Sequence, residues 1–452
     1  MSSNKVKLQE SKLSLLSDAP LPLPFYARMT FLVLGIGSLI GWNAILIGLD
    51  FFLRKFSGYD VGFYFSIPMF VASNLQNVLI HSLSKYFSIS KRITVGLIGQ
   101  AILVIILPIE ANFISNSSGF YFALFLIFVE GLFISLMQSS TVAFAALISS
   151  ECINEFFTGT GLGGVLICCV RLIVLAIIGA EDDSQLFLGT LIYVIVAGVF
   201  LIFSIGMFYS FYRSPFCKQV ITRSLRKTMN HTDNIMDQIV VNGIQPEDLS
   251  VINEEVEDKV CITRINETEE GKSINQEVQK KSQSHIWNVF KKIQPMPILV
   301  WLIYVQTFMV FPGLALQKNI VGVNVAWGST LLVLTYNVGD FMGKYLCSFR
   351  SYYNKVSTTA MILGRFIFYI SFIVILTVPN GQVINTDWFA FVNMFLFALS
   401  NGYATSAVMV LGPEQMSTKD EKETTGFIMN NGLYLGMMCG AFLALTFKNI
   451  GK

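Results

Sequence analysis

Five ionisable residues stand inside long apolar runs of this chain: Glu130, Arg171, Asp340, Lys344 and Arg365. An ionisable group in hydrocarbon is costly to hold, so each one implies a partner and a purpose. Asp340 and Lys344 fall in the stretch Tyr336-Asn337-Val338-Gly339-Asp340-Phe341-Met342-Gly343-Lys344. A separation of four places both on one helical face within mutual reach, and Asn337, three positions earlier, shares that face. An anionic acceptor, a cation and an amide on one stripe suit the hydroxyls of a ribose or the edge of a base. The plain alternative is a neutralised pair that only lowers the cost of insertion. Glu130, with Arg171 in the next apolar run and Arg365 further on, reads first as a structural ion pair or a gate between bundles. The sharper reading makes Glu130 a protonation site.

Gln138 follows Glu130 by two helical turns, on roughly the same face. Its carboxamide both donates and accepts, as a nucleobase edge requires, although polar side chains also simply join membrane helices. Trp42-Asn43 lies some fifteen residues into the first apolar run, deeper than an interfacial tryptophan sits, so its indole is a candidate to stack on a ring in a cavity.

The elements that position these residues follow from composition. Of 452 residues, 53% are hydrophobic and 13% charged, with a mean hydropathy of +0.61. Soluble domains carry about 25% charged residues. Much of the remaining charge is concentrated at the N-terminus and between 212 and 294, so lipid is the solvent of the rest. A spanning helix takes about 20 apolar residues, and about eleven such runs occur. They lie near 27–53, 62–84, 93–114, 119–149, 156–179, 187–211, 296–318, 325–349, 357–379, 388–412 and 424–448. The chain therefore reads as an all-α integral membrane protein. Its expected parts are a tail at 1–26, six helices at 27–211, a loop at 212–294 and five helices at 295–452. The loop is rich in Glu, Lys, Asn and Gln and poor in aromatics, which marks it as disordered.

Orientation follows from lysine and arginine in the short loops. One side carries Lys85, Lys91, Arg92, Arg213, Lys218, Arg223, Arg226, Lys227, Arg350 and Lys355. The other carries Glu110, Glu181, Asp182, Asp183 and Asp387, with Lys318 as the exception. Arg54 and Lys55 on that second side are partly balanced by Asp50 and Asp60. The basic side is expected in the cytosol, with the N-terminus inside and, for an odd number of spans, the C-terminus outside. Lys5, Lys7 and Lys12 precede the first run without an early apolar core, as in a cytosolic tail rather than a signal peptide. Asn116-Ser117-Ser118 is a glycosylation sequon in a very short outer loop; Asn230 and Asn266 begin two more in the cytosolic loop.

Several classes of activity are disfavoured. The seven cysteines, odd in number and without a Cys-x-x-Cys, form no evident disulfide framework or zinc site. Three histidines, His81, His231 and His285, lie away from the spans' interior, so no catalytic triad or metal site converges there. No phosphate-binding glycine-rich loop is present. Net charge is +2, and no basic aromatic patch outside the membrane suggests nucleic acid. A receptor fits poorly with this many spans, and a channel would conduct without saturating. The expectation is a small-molecule carrier without cofactor, metal or catalytic residues.

The motifs, in order along nearly the whole chain, resemble those of the equilibrative nucleoside transporters. Gly35-Ile36-Gly37-Ser38-Leu39-Ile40-Gly41-Trp42-Asn43 is similar to that family's first-helix Gly-x-Gly-x-Leu-x-Pro-Trp-Asn pattern. Gln138-Ser139-Ser140, followed by Gly159-Thr160-Gly161-Leu162-Gly163-Gly164, resembles its fourth and fifth helices. Asn337 through Lys344 resembles the eighth-helix Asn-x-x-Asp-x-x-Gly-Arg motif, and Leu363-Gly364-Arg365 the ninth-helix arginine motif. Phe397 to Tyr403, Gly412-Pro413 and Glu423 to Gly426 resemble the closing helices.

The resemblance implies eleven helices in a six-plus-five, major-facilitator-like two-bundle fold. It implies facilitative transport of nucleosides or nucleobases by alternating access, with a proton-coupled symporter using Glu130 or Asp340 as the rival. It places Trp42 against the base, Gln138 on the base edge and Asp340 on the ribose hydroxyls, with Asn43, Asn337 and Lys344 beside them. A monomer in the plasma membrane is expected. Two positions depart from the pattern. Gly41 stands for the proline before the tryptophan. Lys344 stands for the arginine and exchanges a planar fork for a point charge, which leaves the choice between nucleoside and nucleobase open.

Overall fold

The computed structural model describes residues 22–83, 87–222, 286–347, 354–378, 386–416 and 419–449. Most of the expected N-terminal tail and of the 212–294 loop lies outside the described residues, with Lys85, Arg350, Cys261 and the sequons at Asn230 and Asn266. Among the described residues there is no strand. The first helices are α1 (Phe25–Ile47), α2 (Leu49–Lys55), α3 (Val61–Tyr64), α4 (Ser66–Leu83), α5 (Ile89–Phe113), α6 (Ser117–Ile148), α7 (Ser150–Ile178) and α8 (Asp183–Tyr212). Beyond residue 295 come α9 (Met296–Val310), α10 (Val325–Cys347), α11 (Lys355–Gly364), α12 (Ile367–Thr377), α13 (Asp387–Glu414) and α14 (Lys419–Ala444).

Ten stretches of the described residues are long and apolar enough to cross a membrane. α10 is not among them, although its 23 residues suffice in length. It is the helix that carries Asn337, Asp340 and Lys344. It occupies the run expected at 325–349, and the ten apolar stretches overlap the other expected runs.

Three expected runs are shorter or broken. The run at 27–53 divides at Gly48, where the Tyr193 hydroxyl comes so close that a Cβ would collide with it. The run at 296–318 ends as a helix at Val310. Phe311, which precedes Pro312, is extended with ψ 134°, the conformation a following proline favours. The run at 357–379 splits into α11 and α12 around Arg365, the residue that ends α11. Side chains satisfy several helix starts: Ser88, Asn116, Ser149, Asn354 and Thr386 each accept from a backbone N–H one turn in. Such caps replace bonds the first turn lacks. Asn116, the asparagine of the outer sequon, serves here as the cap of α6, accepting from Gly119 N at 2.9 Å.

Packing follows the small residues. α1 is the most enclosed helix, with 83% of its apolar window buried, against 28% for the window at Lys355–Thr377. Gly35 and Gly163 of the α1–α7 contact, and Gly339 and Gly402 of α10–α13, leave no room for a side chain. On α14, Gly432, Gly436 and Gly440 face α9; a Cβ at these positions would lie 2.9, 2.5 and 2.8 Å from the carbonyl oxygens of Pro297, Trp301 and Val305. Without a hydrophobic force between helices in lipid, such close approach is what holds them. Helices before residue 212 pack mainly on one another, as do those after 296. The broadest contacts across that divide are α7 on α10 and α4 on α14.

Gly436→Leu should separate α14 from α9. Overpacking of this kind costs about 1–3 kcal/mol, and the solubilised variant should melt at a lower temperature than the parent. An unchanged melting temperature would mean that the glycine stripe does not hold this pair.

Candidate functional site

Asp340 anchors a polar network in the apolar interior. Its Oδ2 meets Lys344 Nζ at 2.7 Å, one turn along α10, as the spacing of four required. Its Oδ1 accepts from Asn401 Nδ2 of α13 at 2.8 Å. Asn401 Oδ1 in turn accepts from Thr307 Oγ1 at 2.6 Å and from Arg365 at 3.4 Å. Arg365 is 1% exposed and has no carboxylate partner of its own among the described residues. It donates to Ser400 Oγ (3.1 Å), Ile303 O (3.3 Å), Gln306 Oε1 (3.4 Å) and Thr307 Oγ1 (3.0 Å), and lies 5.0 Å from the centre of the Phe397 ring. One charge-bearing chain thus joins α9, α10, α11 and α13.

The same face of α10 meets α7. Lys344 Nζ reaches Thr160 Oγ1 at 3.5 Å, and Asn337 Nδ2 reaches Cys168 Sγ at 3.5 Å. Gly164 opposite Asn337 makes room for that amide. Asn337, Asp340 and Lys344 are therefore brought together, at the contact between the two groups of helices.

Trp42 and Gln138 approach the same interior from the other group. Trp42 is buried edge-on to Phe70 of α4 at 6.0 Å, and Phe70 meets Phe308 of α9 at 4.4 Å, so an aromatic row crosses the divide. Gln138 Oε1 accepts from the Tyr434 hydroxyl of α14 at 3.0 Å. Asn43 turns its amide nitrogen back to Leu39 O of its own helix at 3.0 Å.

Glu130, Arg171 and Arg365 do not pair with one another. Arg171 binds Asp50 Oδ2 at 2.9 Å, with both side chains inaccessible, and stacks on the Tyr193 ring at 4.9 Å. Glu130 is 1% exposed, and neither carboxyl oxygen has a hydrogen-bond partner among the described residues. Its Oε1 occupies the space beside Gly41, 2.9 Å from where a Cβ would stand. The ion pair foreseen among these three is replaced by Asp50–Arg171, because Arg171 faces α2 and not α6. On the acidic side, Lys318, the one exceptional cation, meets Asp387 at 3.6 Å, and Arg54 and Lys55 meet Asp183.

Sequence reasoning passed over Asp50, Thr307, Gln306 and Tyr434 as members of these networks. Asp50 stood at the end of an apolar run and read as a loop charge. Neutral polar residues such as Thr307 and Gln306 carry no signal beyond their place in a span. Asn401 was visible, in the Phe397 to Tyr403 motif, without a partner to give it meaning. Among the described residues no group of His, Cys, Asp and Glu is arranged to hold a metal ion.

Two packed groups of spanning helices thus meet with a polar network at their contact. The xylose transporter XylE from E. coli, solved in a partially occluded inward open conformation, is similar in fold over 94% of this chain and 91% of its own, with a TM-score of 0.57 and 12% identity. XylE is a major facilitator superfamily protein. The family model described as nucleoside transporter matches residues 124–449, and the chain belongs to that family. Relatives include Equilibrative nucleoside transporter 2 of Homo sapiens, 24% identical over 466 residues, 95% of this chain and 98% of that protein. Equilibrative nucleotide transporter 1 of Arabidopsis thaliana is 22% identical over 432 residues, 94% of this chain and 87% of that protein. The protein is accordingly a multi-pass membrane protein that handles a small-molecule substrate within a lipid bilayer.

Arg171→Ala should leave Asp50 as an uncompensated buried charge and cost about 3–5 kcal/mol, read as a lower melting temperature. Removing both charges together, with Asp50→Asn and Arg171→Gln, should recover most of the loss. If the single variant melts like the parent, the pair does not hold α2 to α7.

Proposed function

We propose that the protein carries nucleosides, and nucleobases as a second class, down their gradients by alternating access. The helices at 27–211 and 295–452 act as two bodies that rock about the contacts of α7 with α10 and α4 with α14. The observation that carries this reading is the Lys344–Asp340–Asn401–Arg365 network. It is a fixed set of donors and acceptors, organised by one group of helices and turned toward the other, in a chain of the nucleoside transporter family.

Asp340 accepts from the two ribose hydroxyls, exchanging part of its bond to Lys344 for them. Lys344, a point charge on a flexible stem, can follow that exchange more freely than a planar arginine. Trp42 offers an apolar wall to the base, and Gln138 reads its edge. The protein works as a carrier and not an enzyme, without cofactor, metal or nucleic acid, as a monomer in the plasma membrane. The basic loops support an N-terminus in the cytosol and a C-terminus outside.

Equilibrative relatives favour the facilitative form over one coupled to protons through Glu130 or Asp340. Uptake should therefore be unaffected by a protonophore or an imposed pH gradient; loss of uptake under either would overturn this form. Radiolabelled adenosine, inosine, uridine and hypoxanthine should be measured in a transport-null cell. Asp340→Asn should raise the KM for nucleosides by about 10–100-fold, the effect of losing one charged hydrogen bond, and raise that for hypoxanthine, which lacks a ribose, much less. Gln138→Ala should weaken all four. Normal uptake and affinity in both variants would dismiss this site.

A further inference from the structure

Tyr434 sits where three helices meet. Its hydroxyl donates to Gln138 Oε1 of α6, and its carbonyl accepts from Asn74 Nδ2 of α4 at 2.9 Å. One turn along the same pair of helices, Asn77 of α4 donates to Asn431 of α14. The other edge of α14 is fitted to α9 through Gly432, Gly436 and Gly440. Tyr434 therefore moves with α9 and α14, whereas Gln138, Asn74 and Asn77 move with the first group of helices. The Tyr434–Gln138 bond crosses the line along which the protein must open.

A carboxamide has one oxygen that accepts and one NH2 that donates. The Tyr434 hydroxyl engages the oxygen, so the oxygen points at α14 and the nitrogen is left for other partners. An NH2 held in that attitude recognises acceptors, such as a ring nitrogen or a carbonyl oxygen of a base. It refuses an edge made of donors, because two donors face each other there.

Building on the reading of Gln138 as the base contact, we infer that Tyr434 is a specificity-determining residue: it locks the Gln138 amide nitrogen toward the base, and only while α14 is closed on α4 and α6. When the groups of helices part, Tyr434 leaves with α14. The Gln138 side chain regains its rotamers, and the base loses a preorganised partner. Affinity for the base is then tied to one state of the carrier, which is what a differential interaction between states requires.

The test uses the full-length protein in proteoliposomes, with uptake referred to the amount reconstituted. Tyr434→Phe keeps the ring and deletes one hydroxyl. It should raise the KM for adenosine about tenfold, the effect of one hydrogen bond, with a smaller change in Vmax. Gln138→Ala should raise KM as well, and the double variant should match Gln138→Ala alone, since the hydroxyl acts only through that amide. An unchanged KM in Tyr434→Phe, or penalties that add in the double variant, would overturn the lock and leave the base contact standing. An unchanged KM in Gln138→Ala would overturn the base contact and the lock with it. The parent protein gives a second readout through competition by the three deazaadenosines that each replace one ring acceptor nitrogen with CH. One of them should compete about tenfold more weakly than adenosine, by the same single bond. If all three compete like adenosine, the base is not read through an acceptor and the lock is dismissed, whether or not Tyr434→Phe reaches the membrane.

Discussion

An ionised carboxylate among apolar helices is costly unless a cation and hydrogen-bond donors face it. Asp340 meets that requirement with Lys344 on its own helix and Asn401 on α13. The requirement then passes outward. Asn401 must satisfy its own oxygen, which Thr307 and Arg365 do, and Arg365 must satisfy a whole guanidinium, which α9 and α13 do with carbonyl, amide and hydroxyl oxygens. Four helices are fixed to one another by the needs of a single charge. Gly339, Gly343 and Gly402 make this geometrically possible, since they let α10 and α13 come near enough for Asn401 to reach. The result is a rigid polar surface on one side of the α7–α10 contact, with the aromatic row from Trp42 on the other side of the interior.

The second ion pair shows what the first is not. Asp50 and Arg171 are also a carboxylate and a cation inside the protein, at 2.9 Å. Their side chains are 4% and 0% exposed, whereas those of Asp340 and Lys344 are 11% and 15% exposed. Arg171 is closed in by Tyr193 and Thr190, and the pair ties the break after α1 to α7 and α8. It belongs to the frame. The more open pair lies on the contact between the groups of helices, where Lys344 also reaches Thr160 of α7. Each joins an aspartate to a cation, arginine in the closed pair and lysine in the open one, and the two differ in access.

Much of this was legible in the chain. The apolar runs located the helices, though not the early helix end at Val310 or the breaks in two other runs, and the spacing of Asp340 and Lys344 foretold their bond. The spacing of Gly432, Gly436 and Gly440 puts them on one helix face, but nothing local to them names α9 as the partner. What stayed hidden was of two kinds. Breaks at Gly48 and after Gly364 do not interrupt hydropathy, because apolar residues resume on either side, and the backbone N–H groups there bond locally, Gly48 N to Ile45 O and Arg365 N to Met361 O. Long-range pairing is likewise absent from local spacing: Arg171 lies nearer Glu130 than Asp50 along the chain, and only the fold turns it toward Asp50. Tyr434 and Asn401 belong to the same class, since a neutral polar residue in a span acquires meaning from what faces it.

Gly41 and Glu130 read as separate peculiarities, one a missing proline and the other a stray acid in the sixth helix. In space they are a single feature. The Glu130 carboxyl lies 2.9 Å from the point where a Cβ on residue 41 would stand, and Gln100 Oε1 lies 3.9 Å from it. A proline at 41 would put its ring where that carboxyl is, and would also remove a backbone N–H from the middle of α1. Glycine does neither, so α1 runs unbroken from Phe25 to Ile47 past Trp42. The departure at Gly41 is thus the space that Glu130 fills, and Trp42 is presented from an uninterrupted helix.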